Sequence, residues 1–428
     1  MRFMKLPKSK FARNAIMLTG GAAFAQILNT ALSPVITRIY TPEEYGVLTL
    51  FTALLGIISA FNALSYDSAI PIADDDKKAI NTLFLCIMIL LFGTLAFAII
   101  LYFLGDILLA LFQAEQLVNY KYLIPIGFFG TGLYTILTKW SFRKKNFGAI
   151  TVTKYSQSIV GNATKIGLGL LSFGPVGLVL GRIIGQSVGI GTLASPLLKK
   201  EKNLLKKINK ETLIWSAKRY VRFPLYTTPT LFFLSFSGQI PIIFISMLYG
   251  QEVVGLYGLA ITITFLPMTL VGKSIEDVFY GEAASIGRNN PQAVKVLSNK
   301  ILKKLILLGL SPMIILAIFG PTLFSFAFGS NWSEAGFYAS LLTLYVFSHF
   351  IFHPISSIFF IFEKQKQHLV LNIINLLFVL TVFVIAFILS LNVYMTIIIF
   401  SIAKTFVEIL KYILAQNILN KEIKSINL

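Results

Sequence analysis

Lys154, Ser158, Gly161 and Lys165 follow one another at a four-three-four spacing inside an apolar stretch, residues 148–171. Eleven residues make close to three helical turns, so the two lysines share one helix face, about 16 Å apart along the axis. Gln157 and Asn162 flank that stripe, and no acid lies nearby in sequence to neutralise either lysine. One reading is a cationic strip lining a water-filled cavity, able to hold an anionic group at two depths. The other is a pair of ammonium groups snorkelling to opposite ends of the helix. Arg182, beside Gln186 in the next apolar stretch, is a further cation with no local acid. Guanidinium and ammonium groups make short, charge-assisted bonds to diphosphate oxygens, and that is the chemistry this set fits.

Other ionisable groups also sit in apolar surroundings, where a charge is costly and normally faces a wet or paired interior. Lys273 has Glu276 and Asp277 three and four residues on, an arrangement that either neutralises locally or serves as an ion or proton site. Lys404 and Glu408, four apart, predict a structural pair on one face. Asp67 lies at the end of another apolar stretch. His349 and His353 have the spacing of two metal ligands, but no glutamate lies between them and Pro354 follows. They read as polar helix residues, so no metal is expected. The lone cysteine, Cys86, allows no internal disulfide and no zinc site. No Walker A sequence is present, so no ATPase is built in.

The elements that position these residues are helices in a membrane. Of 428 residues 56% are hydrophobic and 13% charged, and the mean hydropathy is +0.78. A bilayer-crossing helix needs ~20 mostly apolar residues. Twelve stretches qualify: 14–37, 46–70, 80–103, 117–138, 148–171, 176–198, 223–248, 254–280, 299–319, 335–361, 368–391 and 394–418. They are too long for barrel strands and do not alternate, so the fold class is all-α, a polytopic membrane protein. The first stretch has the basic start and the Ala23-Phe24-Ala25 site of a secretory signal, but it continues to Ile39 and is read as an uncleaved first span. Loops are short, with no room for a soluble catalytic domain. A formal charge of +19 raises nucleic acid as a partner. The cations instead collect at alternate span ends, where they set orientation. With the N-terminus inside, thirty lysines and arginines face the cytoplasm and only Arg38 and Lys121 face out. Both termini are therefore expected in the cytoplasm.

The chain repeats itself. At an offset of 209, Tyr40 matches Tyr249, Glu43 matches Glu252, Gly46 matches Gly255, Ser65 meets Ser274 and Asp67 meets Glu276. This predicts two six-helix halves of like orientation, residues 1–198 and 223–428, joined by a basic linker, 199–222. Gly20, Gly21 and Pro34 in span 1, and Pro224, Pro229, Gly238 and Pro241 in span 7, predict interruptions at equivalent places. Gly177, Gly181, Gly185 and Gly189 form a small-residue stripe that predicts close helix packing.

The segments Arg38–Gly46, Tyr66–Pro71, Arg222–Pro224 through Gln239–Pro241, Gly255–Tyr257 and Leu266–Pro267 resemble bacterial polysaccharide flippases of the Wzx type. That family belongs with the MATE exporters in one superfamily, and the similarity spans nearly the full chain. The resemblance implies twelve helices in two six-helix repeats around a central, cation-lined cavity that opens to each side in turn. It implies a transporter, not an enzyme, in the bacterial inner membrane, moving undecaprenyl-diphosphate-linked oligosaccharide for O-antigen or another surface polysaccharide. Membrane lipids, and the polymerase and chain-length components of the same export pathway, are the implied partners. Lys154, Lys165, Arg182 and Lys273 would then meet the substrate's charge, and Gln26, Asn29, Asn162 and Gln239 its sugars. Arg38 and Tyr40 would form an outer gate. Asp67, Glu276 and Asp277 would carry a coupling proton or sodium ion, with no other cofactor. The rivals are a MATE-type cation-coupled exporter, which should carry acids in span 1, and a peptidoglycan-precursor flippase, which should carry two more helices. No acid lies between Arg13 and Glu43. A membrane glycosyltransferase would need an acid cluster on a sizeable loop, and none is present.

Overall fold

A computed structural model describes residues 10–112, 115–287 and 289–426; Arg2, Lys5, Lys8 and Arg288, counted above among the orienting cations, lie outside them. Among the described residues there is no strand, and each of the twelve expected spans is wholly or partly helical. The chain forms two compact units, Met1–Gly255 and Leu256–Leu428, a division by contacts that falls later in the chain than the division by repeat.

The first unit holds α1 (Lys10–Ile39), α2 (Pro42–Ile58), α3 (Asp76–Leu111), the short α4 (Glu115–Val118), α5 (Leu123–Arg143), α6 (Phe147–Leu170), α7 (Pro175–Ser187) and α8 (Ile190–Lys200). The basic linker folds into α9 (Lys202–Leu205) and α10 (Lys210–Arg219), and α11 (Thr228–Thr264) begins after a π-helical turn at Phe223–Thr227. The linker is fastened to α3: the Asn81 side chain donates to the Lys207 carbonyl and accepts from the Asn209 amide. Tyr66 donates to the Ala217 carbonyl. Leu50, Phe51, Ile70, Leu83, Phe128 and Trp140 form the unit's core. The outward face of α3 is apolar instead, with Phe92, Phe103 and Ile107 exposed by 67%, 72% and 69%. Such a surface is stable against acyl chains and not against water. Together with eight helical stretches among the described residues that are long and apolar enough to cross a bilayer, it makes this a multi-pass membrane protein.

Thr41 starts α2 with a capping box: its hydroxyl accepts from the Glu44 amide at 3.2 Å and the Glu44 carboxylate accepts from the Thr41 amide at 2.9 Å, while Pro42 takes the first helical position. At the repeat-equivalent place α11 is broken by Gly250, whose φ of 83° suits glycine. Just beyond, the repeat closes on itself. A Cβ on Gly46 would fall 3.2 Å from the Gly255 nitrogen and nearer still to the Gln251 carbonyl oxygen. A Cβ on Gly255 would fall 2.8 Å from the Gly46 nitrogen and nearer still to the Pro42 carbonyl oxygen. Pro42 and Gln251 are themselves 209 apart, so equivalent backbones cross reciprocally.

Of the expected interruptions, span 7 shows one at its start, the π-helical turn Phe223–Thr227 around Pro224, and span 1 shows none. α1 runs unbroken through Pro34. Proline there cannot bond the Thr30 carbonyl, and the Ser33 hydroxyl satisfies it at 2.7 Å. Further irregular backbone lies in spans 2 and 8. Leu64 and Ser65 take φ of 47° and 59° between two 3-10 turns, Ser59–Phe61 and Tyr66–Ala69. A π-helical turn, Met268–Gly272, follows Pro267.

At the basic end of the first unit, Arg143 closes α5 onto the irregular end of span 2. It donates to the Ala73 and Ile70 carbonyls at 2.7 and 3.2 Å and to Asp76 at 2.9 Å. Lys144 pairs with Asp76 at 2.8 Å and Glu201 at 3.0 Å. Burial pulls the Lys144 ammonium down, but these bonds outweigh it and hold its pKa above the ordinary lysine value. Arg143→Ala removes a planar donor from two carbonyls at once and is expected to cost about 2–3 kcal/mol, with Arg143→Lys recovering only part. Thermal unfolding in detergent measures this.

The second unit continues with α12 (Lys273–Ile286), α13 (Pro291–Phe328), α14 (Ser333–Phe352), the short α15 (Ile358–Ile361), α16 (Gln365–Ile388) and α17 (Val393–Ile426). Its core gathers Phe279, Leu305, Phe350, Phe359 and Leu419.

Candidate anion-binding site

Helix α6 packs between α1 and α7 and uses different flanks for each. Toward α1, the Ser158 hydroxyl and the Asn162 amide both donate to the Asn29 side-chain oxygen, at 2.7 and 2.6 Å. Toward α7, Gly161 lies against Gly181 and Gly185, where a Cβ on Gly185 would come within 2.9 Å of the Gly161 Cα. The four-glycine stripe is thus the seam of α6 and α7, as its spacing predicts. Lys154 and Lys165 leave α6 from the line between these flanks.

Lys165 lays its alkyl stem over Gly181, where a Cβ would collide with it. That brings its ammonium near Arg182, close enough for the two positive charges to repel. Both residues are half-buried. The Arg182 Nε is buried without a hydrogen-bond partner among the described residues, and Tyr45 lies within its electrostatic field. Neither cation meets a carboxylate among the described residues. The buried Tyr40 hydroxyl donates to the Lys165 carbonyl at 2.7 Å and touches the Gly177 position, tying the end of α1 to α6 and α7. On the far side, Gln157 donates to the Gln186 carbonyl at 2.9 Å, and Thr131 donates to the Gln186 side chain at 2.9 Å.

The structure therefore brings Asn29, Asn162, Lys165, Arg182 and Tyr40 into one polar seam, with Gln26 one turn along α1. Lys154 stands further along α6, its ammonium 5.1 Å from the centre of the Tyr134 ring. Arg38 is exposed at the end of α1, and Gln239 is half-buried against Gly56. Asp67 is half-buried within the field of Lys139. In the second unit, Lys273 is exposed and pairs with Glu276 at 3.1 Å and Asp277 at 3.4 Å, so local neutralisation is the arrangement adopted. Two unneutralised cations beside amide and hydroxyl groups can bind an anion carrying hydroxyls. Ser158 and Gln186, which complete the seam, stand out in sequence only as polar neighbours of the lysine stripe.

The expected Lys404–Glu408 pair does not form. Lys404 donates to Asn375 at 2.7 Å and lies 5.1 Å from the centre of the Tyr345 ring. Glu408 instead meets His349 at 3.1 Å and Lys411 at 3.4 Å. Partners on neighbouring helices, better placed than the residue one turn away, decide both contacts.

The helices adopt the fold seen in solved MATE-type transporters and flippases of the MOP superfamily. An inward-facing multidrug resistance MATE family transporter superposes with a TM-score of 0.70 at 16% identity, covering 93% of this chain and 96% of its own. The lipid II flippase MurJ gives 0.70 at 16% identity, covering 96% and 91%. A MOP superfamily transporter from Pyrococcus furiosus, described as having a binding pocket of reverse polarity, gives 0.56 at 16% identity, covering 96% of each chain. A comparison with curated proteins finds no match. Residues 35–337 match the family described as polysaccharide biosynthesis protein, and the chain belongs to that family.

Proposed function

We propose that this protein flips an undecaprenyl-diphosphate-linked oligosaccharide across the bacterial inner membrane for surface polysaccharide assembly, by alternating access, with both termini in the cytoplasm. The observation that carries the reading is the Lys165–Arg182 pair, two half-buried cations with no carboxylate partner among the described residues. Holding unpaired charge inside a membrane protein is expensive, and an anionic cargo gives it a purpose. A bare diphosphate cannot enter hydrocarbon, while the lipid tail can remain there. Asn29, Ser158 and Asn162 supply amide and hydroxyl groups of the kind that bind sugars. Family membership supports the pathway, and the fold shared with a lipid flippase and with exporters supports movement rather than bond chemistry. Asp67 is the stronger coupling candidate, because Glu276 and Asp277 already share Lys273.

The test is reconstitution of the purified chain in proteoliposomes with a fluorescent polyprenyl-diphosphate disaccharide, scored by loss of protection from a membrane-impermeant reductant. Protein-dependent flipping of the diphosphate lipid, and none of a neutral glycosyl-diacylglycerol probe, is the expected result. Equal movement of both probes, or of neither, overturns the reading. Asp67→Asn is expected to abolish any stimulation by an imposed proton or sodium gradient; unchanged stimulation removes Asp67 from coupling.

A further inference from the structure

A second cluster of ionisable groups lies in the second unit, unrelated to the cation seam. His349 on α14 and Glu408 on α17 face each other with Nδ1 and Oε1 3.1 Å apart. His353, just past the end of α14, stacks on His349 with ring centroids 4.3 Å apart. One ligand atom from each of the three residues falls within 4.8 Å of the others. Glu408 is 1% exposed. Its Oε2 and the His353 Nδ1 are both buried without a hydrogen-bond partner. Two orphaned acceptor-capable atoms in one cluster is a large desolvation cost to leave unanswered.

Two imidazoles and one carboxylate are the ligand set of open zinc sites, with bonds of about 2.0–2.2 Å. Ligand atoms held tetrahedrally at that distance stand roughly 3.4 Å apart, and the His349–Glu408 pair already does so. A rotation of the His353 ring is required to close the set. Phe265 and Tyr345 pack around His349, with ring centroids 5.5 and 6.0 Å away, and give the site an apolar wall. One feature opposes a metal: the Lys411 ammonium lies 3.4 Å from the same Glu408 oxygen. Lys404, one turn away on α17, donates to Asn375 and acts on Glu408 only as a charge beyond contact distance.

We propose that His349, His353 and Glu408 form a binding site for one zinc-class divalent transition-metal ion, with Lys411 as the tethered cation the metal must displace. Imidazole donors favour zinc, cobalt and nickel over magnesium and calcium, and the lysine sets the affinity by charge competition.

The experiment uses the full chain in detergent, without a polyhistidine tag, titrated with Co²⁺ and followed by its visible ligand-field bands, then with Zn²⁺ in competition. One saturable site is expected, insensitive to millimolar Mg²⁺. His349→Ala and His353→Ala should each weaken it at least tenfold, and Lys411→Met should tighten it at least tenfold, a result that a purely structural ion pair cannot give. Glu408→Gln is omitted from the decision because it can compromise folding. Absence of saturable binding in both the native chain and Lys411→Met overturns the proposal, as does binding that His353→Ala leaves unchanged.

Discussion

Replacing Lys165 or Arg182 by methionine is expected to leave the protein more stable and nearly inactive. Stability and activity part because the two cations repel one another and neither meets a carboxylate among the described residues. Removing either relieves that repulsion and the cost of keeping a charge half out of water, a gain of about 1 kcal/mol or more. The same change removes charge-assisted bonds to the cargo, and each tenfold loss of transport corresponds to about 1.4 kcal/mol. Polysaccharide export in a strain lacking the gene, complemented by each variant at matched protein level, should fall at least tenfold. Thermal unfolding of the purified variants should shift upward. A variant that loses stability together with export would mark Lys165 and Arg182 as ordinary packing residues, and normal export would remove the anion site. Lys165→Arg should keep most of the function, because the charge and its reach are preserved.

Gly255→Val and Gly46→Val are expected to be the most damaging single changes in the first unit. Each would drive a side chain into backbone atoms of the equivalent segment of the other half of the repeat. Backbone atoms, unlike the tip of a long side chain, have no rotamer by which to yield. The cost should lie at or beyond the ~3 kcal/mol top of the usual range for overpacking. Even alanine should be costly at both positions. Gly238→Ala is the control, because nothing lies within 4 Å of a Cβ there. Yield of monodisperse protein and thermal unfolding in detergent measure all five variants; native-like melting of Gly255→Val would show that the crossing is looser than the glycine geometry requires.

These two predictions draw on opposite degrees of legibility in the sequence. Helix positions were readable because hydrophobic length alone decides them, and the glycine stripe because small residues at a four-residue period have one packing meaning. Periodicity alone aligns Lys154 and Lys165 along one line of α6, since they need only a regular helix to do so. Contacts between helices were not readable. Lys404 and Glu408 had the right spacing for each other, yet Asn375 and His349 lie dozens of residues away in sequence and win on geometry. The same distance hid the carboxylate that joins His349 and His353. Pro34 misled for a local reason: the sequence shows the missing donor, while the neighbouring hydroxyl that replaces it becomes visible only once its rotamer is known. The further irregularities in spans 2 and 8 have weaker signatures, Leu64-Ser65 among them, because φ near 50° is adopted there by residues that rarely choose it.

The reciprocal crossing of Gly46 and Gly255 bears on ancestry. If the two halves descend from one gene of half the length, that gene's product worked as a pair of identical chains, and a single codon supplied both sides of this contact. A mutation there struck twice, so glycine was held under doubled selection. Fusion freed the two codons to diverge, and much of the surrounding sequence did diverge. That both remain glycine says the constraint outlived the symmetry that created it.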